Sequence, residues 1–158
     1  MIRLHASAVV LREWGVLIRG DSGAGKTSLA LALIENMLPK QQFAALVGDD
    51  WVTLTARGAR LVAQGAAKTA GLAERRGLGL VRAPHLEEAV VSLVVDLSAT
   101  KEPPPRMPGA DDLCTRVGGV EVARLGLTHA FSVESCASVV TDALVSMATN
   151  GSPHVDFP

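Results

Sequence analysis

The chain has 158 residues, 48% hydrophobic and 20% charged, and its 15 basic and 16 acidic residues leave a formal net charge of −1. That is the profile of one globular domain, residues 1–158, able to bury a core without disulfide or metal staples. With 2 Trp, 3 Phe and no Tyr, and with no basic excess, nucleic-acid binding is excluded from the expectations.

In chain order, residues 8–11 and 15–18 read as strands, followed by a helix over residues 25–38. Leu29, Ala32, Leu33 and Met37 stand at helical spacing there, and Pro39 closes it. Five more β-rich runs follow, at residues 43–47, 51–55, 60–63, 90–97 and 120–125. A second helix is predicted over residues 133–149, with Cys136, Val140, Leu144 and Met147 on one stripe. Ser132 suits its N-cap, and Asn150-Gly151 its stop. The one obvious loop, residues 98–112, holds four of the eight prolines.

Most runs are separated by turns too short for crossover helices, so the sheet is expected to be mixed or largely antiparallel. The longest strongly apolar run, residues 89–95, ends at Asp96, far below the ~20 residues of a membrane helix. The Ala6-Ser7-Ala8 triplet precedes the apolar stretch, which is the wrong order for a signal peptide. Cys114 and Cys136 have neither metal nor redox spacing. They read as small core residues of a reduced, cytoplasmic protein.

The strongest chemical signal is Gly20-Asp21-Ser22-Gly23-Ala24-Gly25-Lys26-Thr27, between a predicted strand and a predicted helix. Backbone N–H groups of such a loop cradle phosphate oxygens, and its glycines let the chain fold closely around the anion. Lys26 would reach the β/γ-phosphates and the Thr27 hydroxyl would ligate Mg²⁺. The pattern arises by chance in on the order of 1% of chains this long, so a phosphate-bearing ligand with Mg²⁺ is the expected reading.

Other residues leave two readings open. Asp49 and Asp50 follow an apolar run and fit metal ligation, a general base or a simple turn. Asp96 ends a run of the same shape, and local pattern does not choose between the two sites. His5 suits either proton traffic or a structural place. Glu74, Arg75 and Arg76 with the following glycines fit an anion and metal site or a charged hairpin. Arg106, among prolines, fits a solvated linker or a group that stabilises a transferring phosphoryl.

Taken together, His5, residues 15–27, Asp49-Asp50 and Glu74-x-Arg76-Gly77-Leu78-Gly79 resemble the HPr kinase/phosphorylase family over roughly residues 2–106. The resemblance implies an α/β P-loop domain with a mixed, strand-rich sheet, similar to the phosphoenolpyruvate carboxykinase-like nucleotide-binding fold. It implies an ATP- and Mg²⁺-dependent serine kinase acting on an HPr-like phosphocarrier of the phosphotransferase system, with pyrophosphate as a possible alternative donor. Asp50 would exchange the serine proton, Asp49 would support it and His5 would orient the pair. Lys26 would hold the β-phosphate, Thr27 and Glu74 would bind Mg²⁺, Arg76 would keep the site's shape and Arg106 would be catalytic. Asp96 falls where the family has no fixed acid and reads as a strand-end residue.

Family members form hexamers, so a homo-oligomer is the matching expectation. The chain departs from the family in three places. It leaves no room for the N-terminal domain of longer members, and the loop at residues 81–88 is short. Residues 125–131 replace a Pro-Val-x-x-Gly-Arg-Asn element tied to phosphorolysis, which favours the kinase direction. A small-molecule P-loop kinase and a non-enzymatic nucleotide-dependent binding module are the alternative readings.

Overall fold

The computed structural model describes residues 1–152. In chain order, β1 (Ile2–Leu11) and β2 (Trp14–Arg19) lead to α1 (Lys26–Glu35), and β3 (Ala44–Gly48), β4 (Trp51–Arg57) and β5 (Arg60–Gly65) follow. A hairpin of β6 (Leu72–Arg75) and β7 (Gly79–Arg82) precedes the long β8 (Glu88–Ser98). The chain then runs through β9 (Cys114–Val117) and β10 (Val120–Thr128) into α2 (Val133–Asn150).

The sheet is mixed, as expected. β1 pairs antiparallel with β2 and β3 through its second half and with β4 through residues 2–5. β8 pairs antiparallel with β5 near its start, then parallel with β2 and with β10. Because β1 and β8 each change neighbours along their length, the path β2-β1-β4-β5-β8 closes back on β2. β2 and the loop that follows it therefore sit in mid-sheet, with β1 and β3 on one side and β8 and β10 on the other.

Side chains alternate along a strand, and here the two faces feed two separate cores. Val9, Leu11, Val16, Ile18, Leu93 and Val95 pack against both helices. Ala8, Val10, Leu17, Val91, Val94 and Leu61 fill the opposite face, inside the closed part of the sheet. Burial on both faces explains why β2 and β8 read as nearly continuous apolar runs.

The second helix forms as predicted. Ser132 Oγ accepts from the Ser135 N–H at 3.1 Å, and Gly151, at φ +74°, closes the helix with its N–H on Met147 O at 2.9 Å. The first helix is shorter than predicted, ending at Glu35. Met37 is still buried, but residues 38–40 form a 3₁₀ turn around Pro39, whose missing N–H cannot continue the ladder. The cysteine expectation is corrected by half. Cys136 is buried in the helix-side core, which pushes its thiol up, whereas Cys114 is exposed on β9, a strand paired on one side only. No described helix is long and apolar enough to cross a membrane.

Candidate active site

The glycine-rich loop leaves β2 at Gly20 and enters α1 at Lys26. Gly20 is required by contact as well as conformation: at φ +153°, a Cβ there would lie 2.2 Å from Leu97 O. Gly25 caps α1 in the left-handed region at φ +91°. Within the loop the Ala24 N–H donates to Asp21 O at 3.0 Å. The Lys26 ammonium, largely buried, donates to Gly20 O at 2.8 Å and Asp21 O at 2.9 Å.

Asp49 and Asp50 make the turn from β3 to β4, and they separate. Asp49 is buried. Its Oδ1 accepts from Ser7 Oγ at 2.6 Å and from Thr27 Oγ1 at 2.8 Å, and its Oδ2 lies 3.1 Å from the same threonine hydroxyl. The Glu74 N–H approaches Asp49 Oδ2 at 3.4 Å. Asp50 instead takes a left-handed backbone, φ +63°, which few non-glycine residues adopt. Its carboxylate is open to solvent, with Oδ1 3.5 Å from His5 Nε2. The His5 ring packs against Trp51 at 5.5 Å between centroids, and the Arg3 guanidinium lies 4.7 Å from that indole's centre.

His5 thus reaches Asp50 alone, and the expected orientation of the whole carboxylate pair is redistributed. Ser7, rather than His5, holds Asp49. Sequence reading missed Ser7, yet its signal was present: Arg3, His5 and Ser7 alternate with Ile2, Leu4 and Ala6 in β1 and share one face.

A cleft of about 380 Å³ brings the glycine-rich loop together with His5 and Asp50, whereas Asp49 and Ser7 lie outside its lining. Ser22 to Leu29 form its floor; His5, Asp50, Glu74 and Arg76 stand on one side, Thr128 and His129 on the other. Glu74 is on β6 and Arg76 in the turn to β7, so the charged hairpin forms, and both residues line the cleft. Arg75 ion-pairs with Glu35 and ties that hairpin to the end of α1. Arg106 faces a neighbouring cavity of about 880 Å³ that it shares with Gly20, Asp21, Asp96, Arg124 and Phe131.

The structure distinguishes the two strand-end acids. Asp96 accepts from Arg19 Nε at 2.7 Å and Nη2 at 2.8 Å, and from Arg124 Nε at 2.6 Å. Burial alone would push the Asp96 carboxyl up, but the hydrogen bonds and charges of the two guanidiniums outweigh it and hold the group below the ordinary carboxylate range. Arg124 also reaches Asp112 at 3.2 Å, at the far end of the proline-rich loop.

The family model for the HPr Serine kinase C-terminal domain matches residues 1–128. The chain belongs to that family. Among curated relatives, the HPr kinase/phosphorylase of Clostridium acetobutylicum is 34% identical over 107 residues, covering 63% of this chain and 33% of that protein. The HPr kinase/phosphorylase of Clostridium beijerinckii is 30% identical over 162 residues, covering 93% of this chain and 51% of its own length. The chain therefore spans a third to a half of these two relatives. The solved structure of the Hpr(Ser) kinase/phosphatase from Coxiella burnetii superposes with a TM-score of 0.70 at 23% identity, covering 94% of this chain and 99% of that one. That likeness establishes the fold: a mixed, strand-rich α/β domain of the HPr kinase type.

Proposed function

We propose that this HPr kinase domain transfers the γ-phosphoryl group of ATP to a serine hydroxyl of an HPr-like phosphocarrier. The observation that carries the reading is the single cleft in which Lys26 and Thr27 of the glycine-rich loop stand beside the His5–Asp50 pair.

On this reading the loop's N–H groups and Lys26 hold the β- and γ-phosphates. Lys26 leaves the carbonyls of Gly20 and Asp21 to do so, exchanging two neutral acceptors for charged oxygens. A serine hydroxyl is a weak nucleophile, and the exposed Asp50 carboxylate takes its proton as the new P–O bond forms and the bond to the β–γ bridging oxygen breaks. The products are phosphoserine and ADP. His5 keeps the Asp50 carboxylate facing the acceptor. On this reading Arg106, which lines the neighbouring cavity with Gly20 and Asp21, would approach developing charge from that side of the loop.

The donor set fits magnesium, a cation bound by hard oxygens and usually through one or two carboxylates plus substrate phosphates. Thr27 Oγ1 would hold it, with Asp49 and Glu74 alongside; the bound ion neutralises phosphate charge. In that arrangement Asp49 fixes the threonine hydroxyl, and Ser7 fixes Asp49. Arg76 balances the charge of Glu74, the one acid of the β6–β7 hairpin.

The test is intact-mass spectrometry of an HPr-type phosphocarrier incubated with the protein and Mg·ATP, then with added phosphate. The expected result is one phosphoryl group on a serine with wild type and none with Lys26→Ala. ATP binding without transfer to any phosphocarrier would overturn the kinase reading. Loss of the phosphoryl group on adding phosphate would extend it to the phosphorylase direction.

A further inference from the structure

His129 stands on the α2 side of the cleft, one residue beyond the family match. Its position is tightly set by the backbone. β10 runs parallel to β8 as far as the Thr128–Ser98 pair. The His129 N–H then donates to Ser98 O at 3.0 Å, the Ala130 N–H to Thr128 Oγ1 at 3.1 Å and the Phe131 N–H to Thr128 O at 3.1 Å. With Ser132 capping α2 immediately afterwards, the backbone of this corner is held at each step, which fixes where the imidazole is rooted.

From there the side chain reaches the end of the glycine-rich loop. The ring's Cε1 is 3.9 Å from where a Cβ on Gly25 would stand, so the imidazole lies against the residue that opens α1. Among the described residues no hydrogen bond or ion pair engages the His129 side chain. The other nitrogen-bearing groups of the cleft differ: Lys26 is turned back onto loop carbonyls and His5 faces Asp50. The charges around the cleft also nearly cancel, with Lys26 and Arg76 against Asp50 and Glu74. A polyphosphate brings several negative charges into that balance. Of the residues that line its α2 side, Thr128, His129, Phe131, Val133 and Cys136, only His129 offers an N–H that can rotate toward an anion.

We propose that the His129 imidazole binds the non-transferred phosphates of the nucleotide, donating to them from the α2 side of the cleft. The proposal rests on the nucleotide reading above. The direction follows from the sheet order: the loop springs from β2, with Asp50 beyond β1 and β3 and His129 beyond β8 on β10. The transferred group faces Asp50, and the phosphates cradled at Gly25 and the start of α1 face His129. The non-transferred phosphates are present in ADP and in pyrophosphate, so the contact appears in the affinity for both; the β-phosphate also gains charge as the γ-group leaves, so the contact appears in turnover as well.

The experiment measures equilibrium binding of Mg·ADP and of Mg·pyrophosphate to wild type, Lys26→Ala, His129→Ala and His129→Lys, with steady-state kinetics beside it. His129 is exposed and makes no described side-chain bond, so the variants are expected to keep the wild-type thermal midpoint. Loss of a charge-assisted hydrogen bond at an open site predicts weakening of about tenfold for both probes in His129→Ala, with recovery in His129→Lys. The kcat/KM for ATP should fall by at least the same factor. Equal binding by wild type and His129→Ala overturns the role alone. Weakening for ADP without weakening for pyrophosphate also overturns it, because the ring would then be meeting the nucleoside. Wild type that binds neither probe, like Lys26→Ala, overturns the nucleotide reading and this role with it.

Discussion

Two carboxylates end similar apolar strands in this protein and have opposite fates. Asp49, after β3, is held by the hydroxyls of Ser7 and Thr27 at the mouth of the glycine-rich loop. Asp96, near the end of β8, is clamped by the guanidiniums of Arg19 and Arg124, and Arg19 also approaches Thr115 Oγ1 at 3.4 Å. Hydroxyl partners leave a carboxylate its charge and spare lone pairs for a cation. Two arginines neutralise it and spend those lone pairs on joining β2, β8 and β10. The difference is one of sheet face: Arg19 and Asp96 are direct neighbours in the parallel β2–β8 register, on the face that carries Leu17 and Val94 rather than Ile18 and Val95. One acid is bonded to the glycine-rich loop at the candidate site, and the other joins three strands of the sheet.

The sharpest break of this comparison comes on the site side. Asp50→Asn should lower the transfer rate by about 10²–10⁴-fold while leaving Mg·ADP affinity near wild type, read by single-turnover transfer and equilibrium binding. Equal loss of binding would move Asp50 from proton acceptor to metal ligand. Asp49→Asn keeps the shape and one acceptor but removes the charge. It should weaken Mg·ADP binding by about tenfold or more and metal-free ADP much less, a selectivity that titration with and without Mg²⁺ reads directly.

On the other side the effect should appear in stability instead. Asp96→Asn removes the counter-charge of Arg19 and one of the carboxylate partners of Arg124, which still reaches Asp112, and should cost about 2–3 kcal/mol in denaturant unfolding. Nucleotide affinity should stay within about twofold. A large loss of affinity with unchanged stability would place Asp96 in the site after all. The acid limb sharpens the point. The Asp96 carboxyl is held below its unfolded value of about 3.9. Its stabilising contribution is therefore complete above that pH and is lost as pH falls through the lower folded value. Thermal midpoints of wild type should drop more steeply below about pH 4 than those of Asp96→Asn. The smallest effect belongs to the exposed Arg57–Glu88 pair, bidentate at 2.8 Å yet solvated. Arg57→Ala should leave the melting curve in place, which separates a geometric ion pair from a structural one.

Much of this fold was legible locally. The Ser132 cap, the Gly151 stop and the glycine-rich loop each depend on a few consecutive residues, and each is found where the sequence placed it. The first half of β1 was not read as a strand, because Arg3, His5 and Ser7 interrupt its apolar character. Those interruptions are its site-facing side. The β6–β7 hairpin was equally ambiguous, since Glu74, Arg75 and Arg76 would look alike in a solvated turn and in an active site. Ala73, buried in the helix-side core, and the Arg75–Glu35 pair seat it beside Asp49.

By itself the sequence determined the glycine-rich strand-to-helix loop and the strand-rich, mixed class, because glycine spacing, capping and period-two burial act over short stretches of chain. Only the tertiary structure decided that Asp49 answers to Ser7 and Thr27 while Asp96 answers to Arg19 and Arg124. Their hydrogen bonds join residues 22 to 77 positions apart. Such pairings are set by strand order and by which face each side chain takes, and both emerge only when the sheet closes.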